Sequence, residues 1–159
     1  MNMEKENSEE VLNENSVQVV EFILQGQSFA IDIQKVIEIQ NIPEITPVFH
    51  CPDIVVGVVN IRGDILALLD IGIFFELGKT ELKTDTKMII LQEGEKDAAV
   101  VADCMNGVKW IMESDIHPPP PNVGGISKRW LQGVVQVESG PLMFLDVETI
   151  FDSEEIKKI

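Results

Sequence analysis

Side chains able to bind a metal ion or act as nucleophiles are scarce in this sequence. The soft metal ligands are two histidines and two cysteines, namely His50, Cys51, Cys104 and His117. Their spacing matches none of the usual metal-binding patterns. In an extended chain, His50 and Cys51 would point to opposite faces. We therefore expect two packed, reduced thiols, no metal site and no cofactor.

The sequence also lacks the motifs that identify most enzymes. It contains no glycine-rich nucleotide-binding loop, no HExxH zinc motif and no nucleophile elbow. Tyrosine is absent, and among 27 Asp and Glu residues some neighbouring acids are expected by chance. Asp70 and Asp146 occupy equivalent positions of an internal repeat, which favours a shared structural role over a two-acid active site. The sequence therefore predicts a protein that is not an enzyme.

Arg62 is the charged residue with the most informative position. It is the only arginine before Arg129, and it lies within a strongly apolar hairpin. A guanidinium buried without a partner would cost several kcal/mol, so we expect an ion pair, with Glu38 or Asp64 as the nearest acids. Such a pair would either hold the hairpin against the Glu38 segment or orient a partner at the surface. The two roles are compatible.

The charge of the chain limits what it can bind. Twelve Lys and Arg residues are scattered among 27 acids in 159 residues, for a net charge of −15. This balance argues against nucleic acid and against anionic membrane surfaces, and it favours contacts with other proteins. No apolar run approaches the ~18–20 residues of a membrane span. Residues 1–16 lack a signal-peptide core and are predicted to be a disordered acidic arm, so we expect a cytoplasmic protein.

Short apolar runs separated by Gly and Pro predict strands and hairpins along most of the chain. The run from Val17 to Ile33 reads as two strands with a turn at Gln25–Gln27, and Asp32 is positioned to cap a single helical turn. Residues 57–71 predict a hairpin around Arg62-Gly63-Asp64, with both faces buried. Three later segments complete the pattern: a hairpin over Met88–Val101, a short irregular segment over 103–111, and a hairpin over 133–151.

An internal repeat links the two halves of the sequence. Gly57-Val58-Val59 matches Gly133-Val134-Val135, and Leu69-Asp70-Ile71 matches Leu145-Asp146-Val147, both at an offset of 76 residues. A repeat of this size indicates two copies of one small β-unit that share apolar surface. We predict an all-β fold of two barrel lobes around a common core, forming one domain over residues 17–152. Residues 153–159 are predicted to form a short C-terminal helical tail.

The segment from Gly57 to Ile71 resembles the signature of CheW-type chemotaxis coupling proteins. The resemblance extends from Val17 to about Phe151, and the order and spacing of the other matching pieces agree with it. These pieces are Ile31-Asp32-Ile33, Lys35-Val36, Glu38-Ile39, Thr46-Pro47 and Trp130-Leu131-Gln132-Gly133.

The resemblance implies a fold and a set of partners. The fold is two five-stranded, SH3-like barrels around a shared core. The partners are the cytoplasmic hairpin tip of methyl-accepting chemoreceptors and the regulatory domain of the chemotaxis histidine kinase. The protein would act as a non-enzymatic adaptor in receptor arrays on the inner face of the membrane. It would bind no nucleic acid, would not insert into the membrane, and would be a monomer or weak oligomer alone.

The resemblance also implies which residues meet these partners. Glu38 and Arg62 match the family's acid–arginine pair near the contacts. Val36, Gly57 and Gly63 match positions implicated in receptor engagement, and Ile33 is expected to line the same groove. At Gly72 the chain departs from the family, which often has a basic residue there, and this removes the group that would make an acidic contact.

Two alternatives remain from the sequence. One keeps the fold and changes the pathway, so that the chain couples receptors to a kinase in a non-flagellar chemosensory system. The other is a small-ligand-binding or hydrolytic β-barrel. The second alternative predicts an internal cavity with converging polar groups, whereas the nearly continuous apolar strands predict a filled core.

Overall fold

A computed structural model describes residues 15–157 and shows a predominantly β protein. Within this range the strands are β1 Ser16–Leu24, β2 Gln27–Asp32, β3 Val36–Asn41, β4 Val55–Ile61, β5 Asp64–Leu69, β6 Lys87–Glu93, β7 Lys96–Ala102, β8 Cys104–Met112, β9 Asn122–Val123, β10 Ile126–Ser127, β11 Leu131–Val137 and β12 Gly140–Leu145. Three short helices are α1 Ile71–Phe74, α2 Val147–Phe151 and α3 Glu154–Lys157. In the described part of the chain, none of the helices has the length and apolarity needed to cross a bilayer.

The hairpin turns follow from local sequence. Gln25 and Gly26 connect β1 to β2 with φ angles of 48° and 77°. Arg62 and Gly63 connect β4 to β5 with φ angles of 52° and 92°. Two consecutive residues with positive φ match the twist of the flanking strands, and this explains the glycine in each turn. As predicted, Asp32 caps a 3-10 turn, because its side chain accepts a hydrogen bond from the backbone N–H of Gln34 at 2.9 Å.

Ten of the strands form two five-stranded sheets, each drawn from both sequence repeats, and β9 pairs separately with β10. Sheet 1 has the order β3-β6-β7-β5-β4, and sheet 2 has the order β11-β12-β2-β1-β8. Parallel pairing of β5 with β7 and of β2 with β12 joins the repeats. The first hairpin of each repeat therefore completes the sheet of the other. The boundary between the repeats does not coincide with a boundary between barrels.

Each sheet curls into a barrel through an extra bridge between its two ends. Thr46, which follows β3, exchanges two backbone hydrogen bonds of 2.9 Å with Val58 in β4. His117, which follows β8, makes the equivalent bridge to Val134 in β11. Backbone groups that would be unpaired at the sheet edges are thus satisfied.

A shared hydrophobic core joins the two barrels, as predicted. The largest cluster contains Phe22 and Phe29 from sheet 2 together with Leu68 and Ile89 from sheet 1. The ring of Phe29 stacks on Phe75 after α1, with centroids 5.6 Å apart. The all-β fold of two SH3-like five-stranded barrels around a common core is therefore confirmed. A smaller cluster fills the second barrel, formed by Val19, Ala30, Ile111, Val135, Leu142 and Phe144.

Two expectations about individual strands were wrong. The hairpin 57–71 is not buried on both faces, because its residues in β4 alternate between buried and half-buried or exposed positions and Ile65 is 62% exposed. Runs of consecutive buried residues, which mean burial on both faces, occur in β6 and β7 in the middle of sheet 1 and in β1 and β12 of sheet 2. The segment predicted to be irregular is β8, because it pairs with β1 at the edge of sheet 2.

The ends of the chain are described only in part. The predicted acidic arm, residues 1–16, lies outside the described residues except for Asn15 and Ser16, and Ser16 begins β1. At the other end, α3 lies within the predicted tail, and Lys158 and Ile159 lie outside the described residues.

Candidate protein-binding site

The residues predicted to form the site lie on three neighbouring parts of the first repeat. Ile33 is in the 3-10 turn Ile33–Lys35, and the next strand, β3, contains Val36 and Glu38. Gly57 is in β4, and the turn between β4 and β5 contains Arg62 and Gly63. Because β3 and β4 are the end strands of sheet 1, curling of the sheet is needed to bring these parts together.

An ion pair between Arg62 and Glu38 joins the β4–β5 turn to β3. The predicted ion pair is therefore present, with Glu38 as the partner of Arg62, and its exposure favours the surface role over a purely structural one. The side chain of Arg62 is 73% exposed because it belongs to a hairpin turn, while that of Glu38 is 28% exposed. An exposed pair of this kind contributes about 0.2–1 kcal/mol to stability. Its main physical effect is to hold a guanidinium in one place on the surface.

The turn itself depends on Gly63 and Asn60. Gly63 has a φ of 92°, a conformation that side chains other than glycine adopt with difficulty. Its backbone N–H donates to the side-chain oxygen of Asn60 at 2.9 Å. Gly63 is exposed, but its role in the structure is to shape the turn that presents Arg62.

Gly57 lies inside the barrel. A Cβ on Gly57 would be 2.6 Å from both the carbonyl oxygen of Thr46 and a methyl carbon of Ile45. Gly133 in β11 has the same role, because its Cβ would be 2.4 Å from Ile116. Glycine is required at both positions since the closing segment passes directly over the strand. Gly57 therefore does not offer a surface for direct contact.

The two apolar candidates are half-buried. Val36 pairs with Leu91 of β6 and packs against the core. Ile33 is half-buried in the 3-10 turn before β3. The structure thus places Glu38, Arg62 and Gly63 at the surface, Val36 and Ile33 partly below it, and Gly57 inside.

Three exposed isoleucines near the ion pair were missed from the sequence. Ile37 and Ile39, on either side of Glu38 in β3, are 51% and 39% exposed, and Ile65 follows the β4–β5 turn. The alternation within β3 could have identified Ile37 and Ile39, because every second residue of a strand must face away from the barrel. The sequence does not say which face another element covers. Exposed apolar side chains on an edge strand are typical of a protein contact surface.

A second exposed apolar pair lies on β8, which is an edge strand of sheet 2 as β3 is of sheet 1. Val108 and Trp110 are each about half exposed. On the neighbouring strand β1, Glu21 is fully buried and forms an ion pair with Lys109. It also accepts a hydrogen bond from the Asn106 amide at 2.6 Å. This buried carboxylate ties the edge strand to the sheet, and no sequence motif indicated it.

Another ion pair connects the 3-10 turn before β3 to sheet 1. Lys35 pairs with Glu93 at the end of β6. The hydrogen bond to Glu93 raises the pKa of Lys35 above its ordinary value of 10.5, and the negative charges of Glu93, Glu148 and Asp32 raise it further against the opposing effect of burial. The pair orients the chain as it enters β3.

The chemistry of this surface is that of recognition. Among residues 15–157, no group of three His, Cys, Asp or Glu side chains is arranged to hold a metal ion. The surface offers a fixed guanidinium, a carboxylate and exposed isoleucines, a combination that suits the binding of another protein.

Comparisons with known proteins agree with the two-barrel architecture. The chemotaxis protein CheW of Treponema pallidum is 26% identical over 152 residues, which cover 93% of this chain and 89% of that protein. The chemotaxis protein CheW of Klebsiella aerogenes is 28% identical over 135 residues, covering 85% and 81%. The crystal structure of the scaffolding protein TtCheW from Thermoanaerobacter tengcongensis superposes with a TM-score of 0.78 at 26% identity, covering 87% of this chain and 90% of that one. Because the CheW-like domain family matches residues 18–155, nearly the whole described chain, this protein belongs to that family of chemotaxis scaffold proteins.

Proposed function

We propose that this chain is a coupling adaptor that links methyl-accepting chemoreceptors to a chemotaxis histidine kinase. The observation that carries the proposal is the exposed Arg62–Glu38 ion pair, together with the exposed isoleucines of β3, in a chain of the CheW-like family. The coupling unit would be residues 17–152. It would act in the cytoplasm, in receptor arrays at the inner face of the membrane, and without catalytic activity.

The exposed surface supports binding to a receptor hairpin tip. Such a tip is a pair of antiparallel helices, and apolar residues on one helical face pack well against a row of exposed isoleucines. Ile37 and Ile39 provide this row, and Arg62 provides a fixed charge that sets the orientation of the helix. The half-buried Val36 and Ile33 would support the contact from below. Gly57 and Gly63 would act through the backbone.

The separate apolar pair on β8 supports a second partner. Val108 and Trp110 belong to sheet 2, whereas Ile37 and Ile39 belong to sheet 1. An adaptor with two contact surfaces can bind a receptor and the regulatory domain of the kinase at the same time. Weak contacts of this kind add by avidity when many copies assemble in an array.

Binding to purified partners tests the proposal. A receptor cytoplasmic fragment and a kinase regulatory domain are each immobilised, and the intact chain is passed over both surfaces. We expect saturable binding to each, weakened on the receptor surface by Arg62→Ala. Failure to bind either partner at concentrations well above those in a cell would exclude the coupling role.

The ligand-binding or hydrolytic alternative predicts a sizeable internal cavity with converging polar groups, and the space between the two sheets does not provide one. The enclosed cavity between the two sheets has a volume of about 10 Å³ and is lined by apolar side chains, including Ile31, Leu69 and Val100. A volume of this size holds at most about one water molecule. The alternative pathway, a non-flagellar chemosensory system, uses the same surfaces, and binding assays with receptors of each class distinguish it.

A further inference from the structure

The last nine residues of the connection between α1 and β6 are held to the barrels at very few points. These residues, 78–86, are called the strap here. Thr80 is its first anchor: its backbone N–H donates to Asp70 Oδ2 at 2.7 Å, and its hydroxyl donates to Asp70 Oδ1 at 2.7 Å. The second anchor is the burial of Thr86, whose hydroxyl accepts a hydrogen bond from the backbone N–H of Lys83 within the strap itself and not from either barrel. Residues 81–85 between the anchors are exposed.

The side chain of Gln25 joins this strap to the opposite barrel. Its amide donates to the carbonyl oxygen of Gly78 at 2.7 Å and to the hydroxyl of Thr80 at 3.0 Å. Its backbone N–H donates to Asp103 Oδ2 at 2.8 Å. Because Gln25 is in the β1–β2 turn of sheet 2, while Gly78 and Thr80 lie in the connection from β5 to β6 of sheet 1, the two bonds of the amide cross between the barrels.

Gly72 provides the space that the Gln25 amide occupies. A Cβ at residue 72 would be 2.4 Å from Gln25 Nε2 and 2.9 Å from Thr80 Oγ1. The φ of Gly72 is not in the left-handed region, so the requirement for glycine is one of space and not of backbone conformation. The Gln25 amide therefore fits in this position because residue 72 has no side chain.

The equivalent end of the second repeat is open. At the repeat offset, the counterpart of Gly72 is Glu148, which is exposed. The counterpart of Asp70 is Asp146, which accepts from Thr149 within its own helix at 3.0 Å. The turn there, at Gly94 and Glu95, borders an open groove of about 520 Å³ with Glu148 on its wall. The repeat therefore does not by itself require the closed arrangement seen at Gln25.

The strap also forms one wall of an apolar groove. Leu82 and Lys79 of the strap face Val55 and Val56 at the start of β4, and the space between them is about 510 Å³. Ile73 of α1 forms the floor. Movement of the strap would change the width of this groove. Segments with few anchors and many exposed residues open locally at a lower free-energy cost than the barrel itself.

We infer that residues 78–86 are a strap that opens and closes over the groove at Val55, Val56 and Ile73, and that the amide of Gln25 is the latch that keeps it closed. The closed state depends on Gln25, Thr80 and Asp70 together. Opening leaves both barrels folded, because their cores do not include residues 81–85.

The test uses the fact that the backbone of Gln25 has a conformation that favours glycine, whereas its side chain makes the proposed latch contacts. Its φ of 48° favours glycine, so Gln25→Gly relieves the backbone while removing the amide. Hydrogen exchange is measured on the full chain by NMR, together with the rate of trypsin cleavage after Lys79 and Lys83. We expect exchange at the Thr80 amide to rise about five- to tenfold, cleavage to accelerate, and the amides of β6 and β7 to keep their protection. Glu95→Ala, in the equivalent turn of the second repeat, should leave the strap unchanged.

A double variant gives an independent check. Thr80→Val removes the hydroxyl that lies between Asp70 and Gln25 and should raise strap exchange by a similar factor. The combination with Gln25→Gly should add little, because both changes release the same latch. Unchanged exchange at Thr80 in Gln25→Gly would overturn the inference. So would an equal rise in β6 and β7, since it would show that the whole barrel opens instead of the strap.

Discussion

Arg62 and Glu38 form an ion pair between the two end strands of sheet 1, with the guanidinium largely exposed and the carboxylate mostly covered. Glu38 lies in β3, and Arg62 lies in the turn that follows β4. The pair joins the two ends of the curled sheet, which the backbone bridge between Thr46 and Val58 also joins. Because an exposed ion pair adds little stability, the arrangement is better suited to presenting a charge than to holding the barrel closed.

The Arg62→Ala variant distinguishes the role of Arg62 in presenting a charge to a binding partner from any role in stability. We expect the free energy of unfolding in urea to fall by less than about 1 kcal/mol, because the pair is exposed. Binding to a receptor cytoplasmic fragment should weaken by about tenfold, equivalent to ~1.4 kcal/mol. Lys96→Ala, which removes an exposed lysine in β7, is the matched control. Equal effects of the two variants on receptor binding and array assembly would show that Arg62 has no special role.

Substitution by aspartate is expected to have different effects at the neighbouring residues Val36 and Ile37. Ile37→Asp places a charge on an exposed position and should keep the fold while reducing receptor affinity at least about tenfold. Val36→Asp places a charge against the core and should lower stability by roughly 2–4 kcal/mol. Thermal unfolding and receptor binding are measured for both. Normal binding by a folded Ile37→Asp variant would place the receptor contact elsewhere.

Gly57→Ala is expected to destabilise the protein although it adds only one methyl group. The new Cβ would overlap the backbone of Thr46, which cannot move without breaking its bridge to Val58. We expect a loss of about 1–3 kcal/mol, and a similar loss for Gly133→Ala in the second repeat. Gln136→Ala, at an exposed position of β11, serves as the control. Weaker receptor binding by Gly57→Ala without any loss of stability would assign Gly57 to the contact surface instead.

The Lys35–Glu93 ion pair predicts a dependence of stability on alkaline pH. The pKa of Lys35 is raised in the folded protein, chiefly by its hydrogen bond to Glu93. A raised folded pKa means that the stabilisation is complete below the ordinary value of 10.5 and is lost as pH rises through the folded value. Lys35→Met should therefore be less stable than the parent at neutral pH, by roughly 0.2–1 kcal/mol. The difference should shrink above pH 10.5, and chemical denaturation at both pH values measures it. A difference that is constant with pH would indicate lost packing alone.

Much of the local structure was predictable because it depends on residues close together in sequence. Glycine at Gly26 and Gly63 marks hairpin turns, and Asp32 marks a capped turn, because a few neighbouring atoms decide each of these conformations. The repeat was visible for the same reason: equivalent local structures, such as the helices that begin after Asp70 and Asp146, need the same residues. An ion pair of Arg62 was predicted from the sequence with Glu38 and Asp64 both possible, and the family resemblance favoured Glu38, whereas the exposure of the guanidinium depends on the fold.

The amino-acid sequence alone determined the β-rich composition, the hairpins, the duplication and the resemblance to a coupling family. The tertiary structure decided which hairpin completes which sheet, why Gly57 must lack a side chain, and which of the isoleucines in β3 and β5 remain uncovered. It also decided that Gln25 reaches across to the strap at Thr80. The physical reason is that these features depend on pairings between distant segments, whereas turn and strand preferences are set by neighbouring residues and do not specify which surface another segment will cover.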